Sequence, residues 1–226
     1  MKSKRKSESF ARLLYGMIAG LLTGIAALTI YLAQDQLREP EAADSGHSSD
    51  VDKHRFDGAI RIAPPIDVPD FTLSNQDGQT FELSDLRGRH ILLTFGFTNC
   101  PDICPLTLSD FQQVKDMLGD RAEEVAFVFI SVDGRRDSPA VLRGYFEYRQ
   151  LDGIIALTGS EEMVRAIGAP MGLSFEVSGD ASAGAYTVNH TAGSFLLDAS
   201  GRWIMRYQFG LPPDRIAVEL RTLLKD

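Results

Sequence analysis

The stretch ILLTFGFTNCPDICPLTLSDFQQVKDML, residues 91–118, decides how the rest of the chain is read. Ile91 to Phe97 is an apolar run that predicts a buried strand. Leu106, Leu108, Phe111, Val114, Met117 and Leu118 then recur at helical spacing, which predicts a helix over 106–118. Between the two lies Thr98-Asn99-Cys100-Pro101-Asp102-Ile103-Cys104-Pro105, which holds both cysteines of the chain. A strand that empties into such a turn and then a helix places sulfur at a helix N-terminus. There the unpaired amide N–H groups and the helix dipole favour thiolate over thiol. Cys100 and Cys104 are therefore expected to be a functional pair. A structural disulfide is the competing reading, and it is weak. A bridge across C-x-x-x-C closes so small a loop that little chain entropy is removed, and the domain around it is large enough to stand on its own core. Pro101 and Pro105 stiffen the turn and remove two backbone donors, which suits a shaped site.

Outward from this stretch, Phe71 to Leu83 reads as a hairpin turning at Asp77-Gly78. Downstream come a strand over 125–131, a loop over 132–137 and a helix over 138–149, with Ser138 as its cap and Pro139 in its first turn. A strand over 154–157 and a helix from Glu161 to Ile167, capped by Ser160, follow. Residues 173–177 and 185–189 read as paired segments around a Gly/Ser/Asp loop. Strands over 193–198 and 202–208 are joined at Asp198-Ala199-Ser200-Gly201, and a last helix starts at Pro212. Strands alternating with helices, then a terminal hairpin and helix, define an α/β fold with a central mixed sheet flanked by helices.

The N-terminal part has a different character. Residues 1–12 form a basic tail with a net charge of +4, and the next 21 residues, 13–33, carry no charged side chain. As a helix that run is about 31 Å long, enough to cross a bilayer core. Acidic residues follow it (Asp35, Glu39, Glu41, Asp44), which places the tail in the cytoplasm and the remainder outside. A cleavable signal peptide is the rival reading, but Tyr31 occupies the place where cleavage after Ala33 needs a small residue. With no Arg/Ser-rich leader ahead of the span, a single-pass protein of a bacterial inner membrane is expected, its C-terminal domain in the periplasm. Residues 34–58 are polar and aperiodic and read as a flexible linker, in which His47 and His54 are solvated. Residues 59–226 form the folded domain. A net charge of −8 overall, with +4 in the tail, leaves −12 for the rest of the chain. That argues against nucleic-acid partners and is compatible with a basic protein partner or a cationic cargo.

The spacing of the cysteines narrows their chemistry. Thioredoxin-type oxidoreductases use two intervening residues, and here there are three. Side chains at i and i+4 share a helix face, with Cβ atoms roughly 6 Å apart, so two thiolates can grip one soft ion yet still close a disulfide after modest adjustment. Two thiolates alone suit linear Cu(I) or an incomplete zinc site; a structural zinc site wants four ligands. Imidazole is the obvious third donor. Of the two histidines in the domain, His90 opens the strand that feeds the cysteine turn and lies at its far end. His190 falls in Tyr186-Thr187-Val188-Asn189-His190-Thr191-Ala192-Gly193, between two strand-like runs. A packed or surface role for either histidine stays open at this point.

Three blocks, Phe97-Thr98-Asn99-Cys100-Pro101-Asp102-Ile103-Cys104-Pro105, Ser131-Val132-Asp133-Gly134-Arg135-Arg136-Asp137-Ser138-Pro139 and Tyr186-Thr187-Val188-Asn189-His190-Thr191-Ala192-Gly193, resemble the Sco/SenC family of membrane-anchored copper-binding proteins. The resemblance spans about 67–225, with the blocks in the family's order. It implies a thioredoxin-like fold, one copper ion, Cu(I) or Cu(II), held by Cys100, Cys104 and His190, and service to the dinuclear copper centre of cytochrome c oxidase. The implied partners are the oxidase subunit carrying that centre and other periplasmic copper chaperones or thiol reductases. Asp133 and Asp137 match the family pattern, with a turn and a helix cap as their plainer roles. Asn189 stands where the family commonly has Asp, so a charge is lost beside the proposed ligand. The competing class is an enzyme, a metal-independent thiol–disulfide reductase in which Cys100 and Cys104 are the redox-active pair and His190 is dispensable. A peroxidase-like use of one cysteine with Thr98 is the weakest reading.

Overall fold

The computed structural model describes residues 58–180 and 185–224. In chain order these form β1 (Ala59–Asp67), β2 (Thr72–Asn75), β3 (Thr80–Glu82), β4 (His90–Gly96), α1 (Ile103–Leu118), β5 (Val125–Ser131), α2 (Pro139–Tyr148), β6 (Ile154–Thr158), α3 (Glu161–Gly168), β7 (Phe175–Asp180), β8 (Ala185–His190), β9 (Ser194–Leu197), β10 (Arg202–Tyr207) and α4 (Pro213–Leu223). Eight strands make one mixed sheet in the order β1-β10-β9-β4-β5-β6-β2-β3. Its centre, β4-β5-β6, is parallel, and the remaining pairings are antiparallel. All seven residues of β5 are buried, as expected of a strand covered on both faces.

Alternation along the central strands divides the interior into two apolar clusters. Leu92, Phe127 and Phe129 point to one face and pack with Leu108, Phe111 and Val114 of α1, Leu142 and Phe146 of α2, and Ile216 and Leu220 of α4. Ile91, Leu93 and Phe95 of β4, with Val128 and Ile130 of β5, point to the other face. There they meet Val164 and Ile167 of α3 and Phe175 and Val188 of the β7–β8 pair. That pair is a separate two-stranded sheet, with Phe175 opposite His190 and Tyr186 opposite Gly179.

Three local outcomes bear on the sequence reading. The caps form as expected: the Ser138 hydroxyl accepts the Val141 amide at 3.4 Å, and Ser160 accepts that of Met163 at 3.2 Å. The helix expected from 106 begins three residues earlier, at Ile103. Pro105 thus falls in its first turn, where the missing N–H has no intrahelical partner to lose. β1 is an addition, an edge strand containing Pro64 and Pro65 whose register with β10 breaks between Arg61 and Ile66. Proline is tolerated there because an edge strand leaves half its donors unpaired. The anchor over 13–33, the basic tail over 1–12 and linker residues 34–57 lie outside the described residues; among those described, no helix is long and apolar enough to cross a membrane.

Leu108 is fully buried between α1 and the sheet. Leu108→Ala is expected to cost about 2–5 kcal/mol, measured as a fall in the urea midpoint at unchanged slope.

Candidate metal centre

The three residues singled out by sequence come from three places in the chain and meet at the C-terminal end of β4. Cys100 sits in the turn after β4, where its amide donates to Phe97 O at 3.2 Å. Cys104 is the second residue of α1, and its amide N–H points back at Cys100 Sγ, 3.5 Å away. His190 ends β8. Its Nδ1 lies 3.0 Å from Thr191 O; a carbonyl only accepts, so the ring hydrogen belongs on Nδ1 and the lone pair on Nε2. Nε2 lies 3.6 Å from Cys104 Sγ. The two sulfurs and a ring nitrogen all lie within 4.8 Å of one another.

The surroundings explain why these groups converge. Gly96 is required for space: a Cβ there would come 2.8 Å from Cys104 Sγ and 2.6 Å from Phe129 Cε2. Phe97 presents its ring edge-on to His190 at 5.9 Å between centroids. Asp137, fully buried, holds the cysteine turn from behind. It accepts the Thr98 amide at 3.0 Å, the Thr98 hydroxyl at 2.6 Å and the Ser131 hydroxyl at 2.6 Å. Asp133 accepts the Tyr186 hydroxyl at 2.7 Å and pairs with Arg136. Neither carboxylate is the cap of α2, a role Ser138 fills. The turn expected here forms, Asp133 O accepting the Arg136 and Asp137 amides at 3.0 and 2.9 Å; the expected cap does not, and the two carboxylates instead tie loops to the site.

Burial sets the electrostatics. It pushes the Cys104 thiol well above its ordinary range, and the hydrogen bond with the Cys100 side chain pushes the same way. The helix-tip effect expected from sequence is outweighed at Cys104, because losing water costs a thiolate more than one amide returns. Burial also holds His190 below its ordinary value of 6.5, against the Thr191 carbonyl, which favours the charged ring. Asp137 is raised by burial despite the hydroxyls of Ser131 and Thr98. His90 starts β4, at the opposite end of the strand from the cysteine turn, and is lowered by burial against Asp198 and Glu124.

The donor set fits a soft ion of low coordination number. Sulfur and imidazole suit copper or zinc over Mg2+ or Ca2+, and among the described residues no other His, Cys, Asp or Glu joins the cluster to complete a four-ligand zinc site. The SCO1/SenC profile matches residues 63–225. This chain belongs to the SCO1/SenC family. A SCO2-like protein of Rickettsia felis is 29% identical over 201 residues, covering 88% of this chain and 91% of that protein. The structure of Bradyrhizobium japonicum ScoI with copper bound aligns with a TM-score of 0.63 and 29% identity, over 69% of this chain and 98% of that one. BsSco, a Sco protein of cytochrome c oxidase assembly with an identified disulfide switch, aligns at 0.58 and 25% identity, over 72% of this chain and 96% of that one. The mixed sheet flanked by helices is the architecture of these Sco structures.

Sequence reasoning passed over Gly96, Thr98 as a ligand of Asp137, and the pairing of Tyr186 with Asp133. One signal was available for the last. In a strand, residues 186, 188 and 190 share a face, so a histidine turned inward carries Tyr186 inward with it. By the same alternation Asn189 points the other way and is exposed, opposite Glu176. The charge that this Sco chain lacks beside His190 is therefore missing from the outer face of the hairpin.

Gly96→Ala is expected to force the first turn of α1 away from β4, destabilising the reduced protein by about 1–3 kcal/mol and speeding alkylation of Cys104 by iodoacetamide. His190 and His90 both stay neutral in the fold below the pH at which they take protons when unfolded. Stability of the metal-free protein should thus fall as pH drops from about 6.5 toward their folded values, because unfolding takes up protons there. Urea midpoints between pH 5 and 8 check the sign, and His190→Gln should flatten the slope.

Proposed function

We propose that this chain is a membrane-anchored copper chaperone that binds one copper ion through Cys100, Cys104 and His190. In this reading it delivers the ion to, or prepares, the dinuclear copper centre of cytochrome c oxidase. One observation carries the proposal, the convergence of two thiols and an imidazole nitrogen within 4.8 Å. Copper in B. japonicum ScoI and oxidase assembly by the family of BsSco support the choice of metal and of recipient. The layout proposed is a cytoplasmic tail over 1–12, an anchor over 13–33, a linker over 34–58 and a periplasmic domain over 59–226. The tether raises the concentration of the domain near an integral-membrane recipient.

Within the site, Cys104 gives up its proton when it binds a cation, so the affinity is expected to rise with pH. His190 brings a neutral Nε2, already turned toward the sulfur by the Thr191 carbonyl. Release proceeds by exchange, an incoming thiolate of the recipient replacing each protein donor. The freed dithiol can then pass two electrons and two protons to a target disulfide, leaving Cys100 and Cys104 bonded to each other. Loaded and oxidised forms exclude one another, since both use the same two sulfurs.

A metal-independent reductase is the second reading, favoured by the contrast between half-buried Cys100 and buried Cys104, which suits one attacking and one resolving sulfur. Cu(I) competition titrations of the full chain, purified reduced in detergent, separate the two. One Cu(I) per chain is expected, with stoichiometric binding lost in Cys100→Ser and Cys104→Ser at a nearly unchanged melting temperature. His190→Ala is expected to weaken binding about 100-fold, roughly 2.7 kcal/mol. Unaltered Cu(I) affinity of His190→Ala, with full turnover of a disulfide substrate, would select the reductase.

A further inference from the structure

His190 rides on a hairpin outside the main sheet, so something must hold that hairpin against the cysteine turn. At its base, Arg165 of α3 lies over the Phe175 ring at 3.9 Å and donates to Phe175 O at 2.8 Å. Further out, the hairpin is gripped by the loop after β5. The Arg136 guanidinium stacks on the Tyr186 ring at 3.6 Å, donates from Nη1 to Tyr186 O at 2.8 Å, and pairs through Nε with Asp133. Asp133, buried, takes the Tyr186 hydroxyl on its other oxygen at 2.7 Å. A ring of three side chains thus closes between loop and hairpin.

The ring does not end there. The Asp133 amide donates to Ser131 Oγ at 3.0 Å, Ser131 donates to Asp137, and Asp137 holds Thr98 two residues before Cys100. A parallel apolar route runs from Arg136 over the Phe97 ring, 5.9 Å away, to the edge contact of Phe97 with His190. One hydrogen-bonded chain therefore joins the arm that presents the imidazole to the turn that presents the first sulfur.

The geometry points to Asp133, Arg136 and Tyr186 as positioning residues that seat His190 over the thiol pair and keep its placement in step with the Cys100 turn. This deepens the copper-binding reading of the same site and rests on it. None of the three contributes an atom to the donor cluster; they act through the hairpin. Partners one layer out from metal ligands commonly carry about 10–100-fold of affinity.

The test is a double-mutant cycle on the full chain in detergent, reduced, with Cu(I) as the probe. Tyr186→Leu, which removes the stacking surface and the hydroxyl, is expected to weaken Cu(I) binding at least about tenfold. In a His190→Ala background it should change affinity by less than about twofold. Tyr186→Phe, which keeps the ring under Arg136, should recover most of the loss. The charge-free pair Asp133→Asn with Arg136→Gln is the second variant and should behave like Tyr186→Leu. In the metal-free protein, amides of 185–190 should exchange at least about tenfold faster in Tyr186→Leu, with those of β4 and α1 unchanged. The His190 ring resonances should move toward those of an exposed histidine. Wild-type affinity in both variants, or an equal loss with and without His190, overturns the assignment. If His190→Ala alone leaves Cu(I) affinity intact, it is the ligand set that fails. The seat is then judged by the metal-free ring signals and amide exchange, which overturn it if unchanged.

Discussion

β4 and β5 run side by side in parallel for seven residues, from His90 opposite Val125 to Gly96 opposite Ser131, and Val132 N–H closes the pairing on Gly96 O at 2.8 Å. Parallel neighbours end at the same edge of a sheet. The turn bearing Cys100 and the loop bearing Asp133, Arg136 and Asp137 therefore leave the sheet next to each other. Ligands of open α/β sheets gather at the carboxyl ends of the strands for this reason. The register also explains Gly96, since a strand whose last turn folds straight back into a helix must let a side chain of that helix's first turn, Cys104, lie against its own backbone.

Burial, more than the helix tip, governs the chemistry there. Cys104 is enclosed and held as a thiol, His190 is half-buried and held neutral, and Cys100 keeps partial access to solvent. A protonated Cys104 raises the cost of binding any cation, and it also protects the reduced pair from adventitious chemistry, since the thiolate is the reactive form. The Cys104 amide, at the start of α1, is aimed at the Cys100 sulfur and gives none of its stabilisation to Cys104's own.

Most of this architecture could be read from the chain because its central elements carry strong period signals. The run 91–97, the apolar VAFVFI of 125–130 and the capped starts at Ser138 and Ser160 each say one thing. β1 was illegible for a physical reason: an edge strand with two prolines and mostly exposed residues has neither alternation nor a run. The start of α1 was misplaced because Pro101 and Pro105 hide the first turn from any count of apolar residues. His190 was legible as a candidate only, since nothing local states how far a loop reaches. The Asp137–Thr98 and Asp133–Tyr186 contacts bridge 39 and 53 residues of sequence, and such pairings are fixed by the packing of the sheet.

The sheet is also a partition. The donor cluster lies in the compartment that holds Phe97, Phe175 and Val188 and borders the other at Phe129, beside Gly96, whereas most of α1, together with α2 and α4, fills that other one. Tyr145 of α2 is near enough on that side to feel both thiols, whereas more distant side chains act on them through a tilt of α1 or a displacement of β4. A change of volume at Leu142, Ile216 or Leu220 is consequently felt at the donors only as far as it moves those two elements.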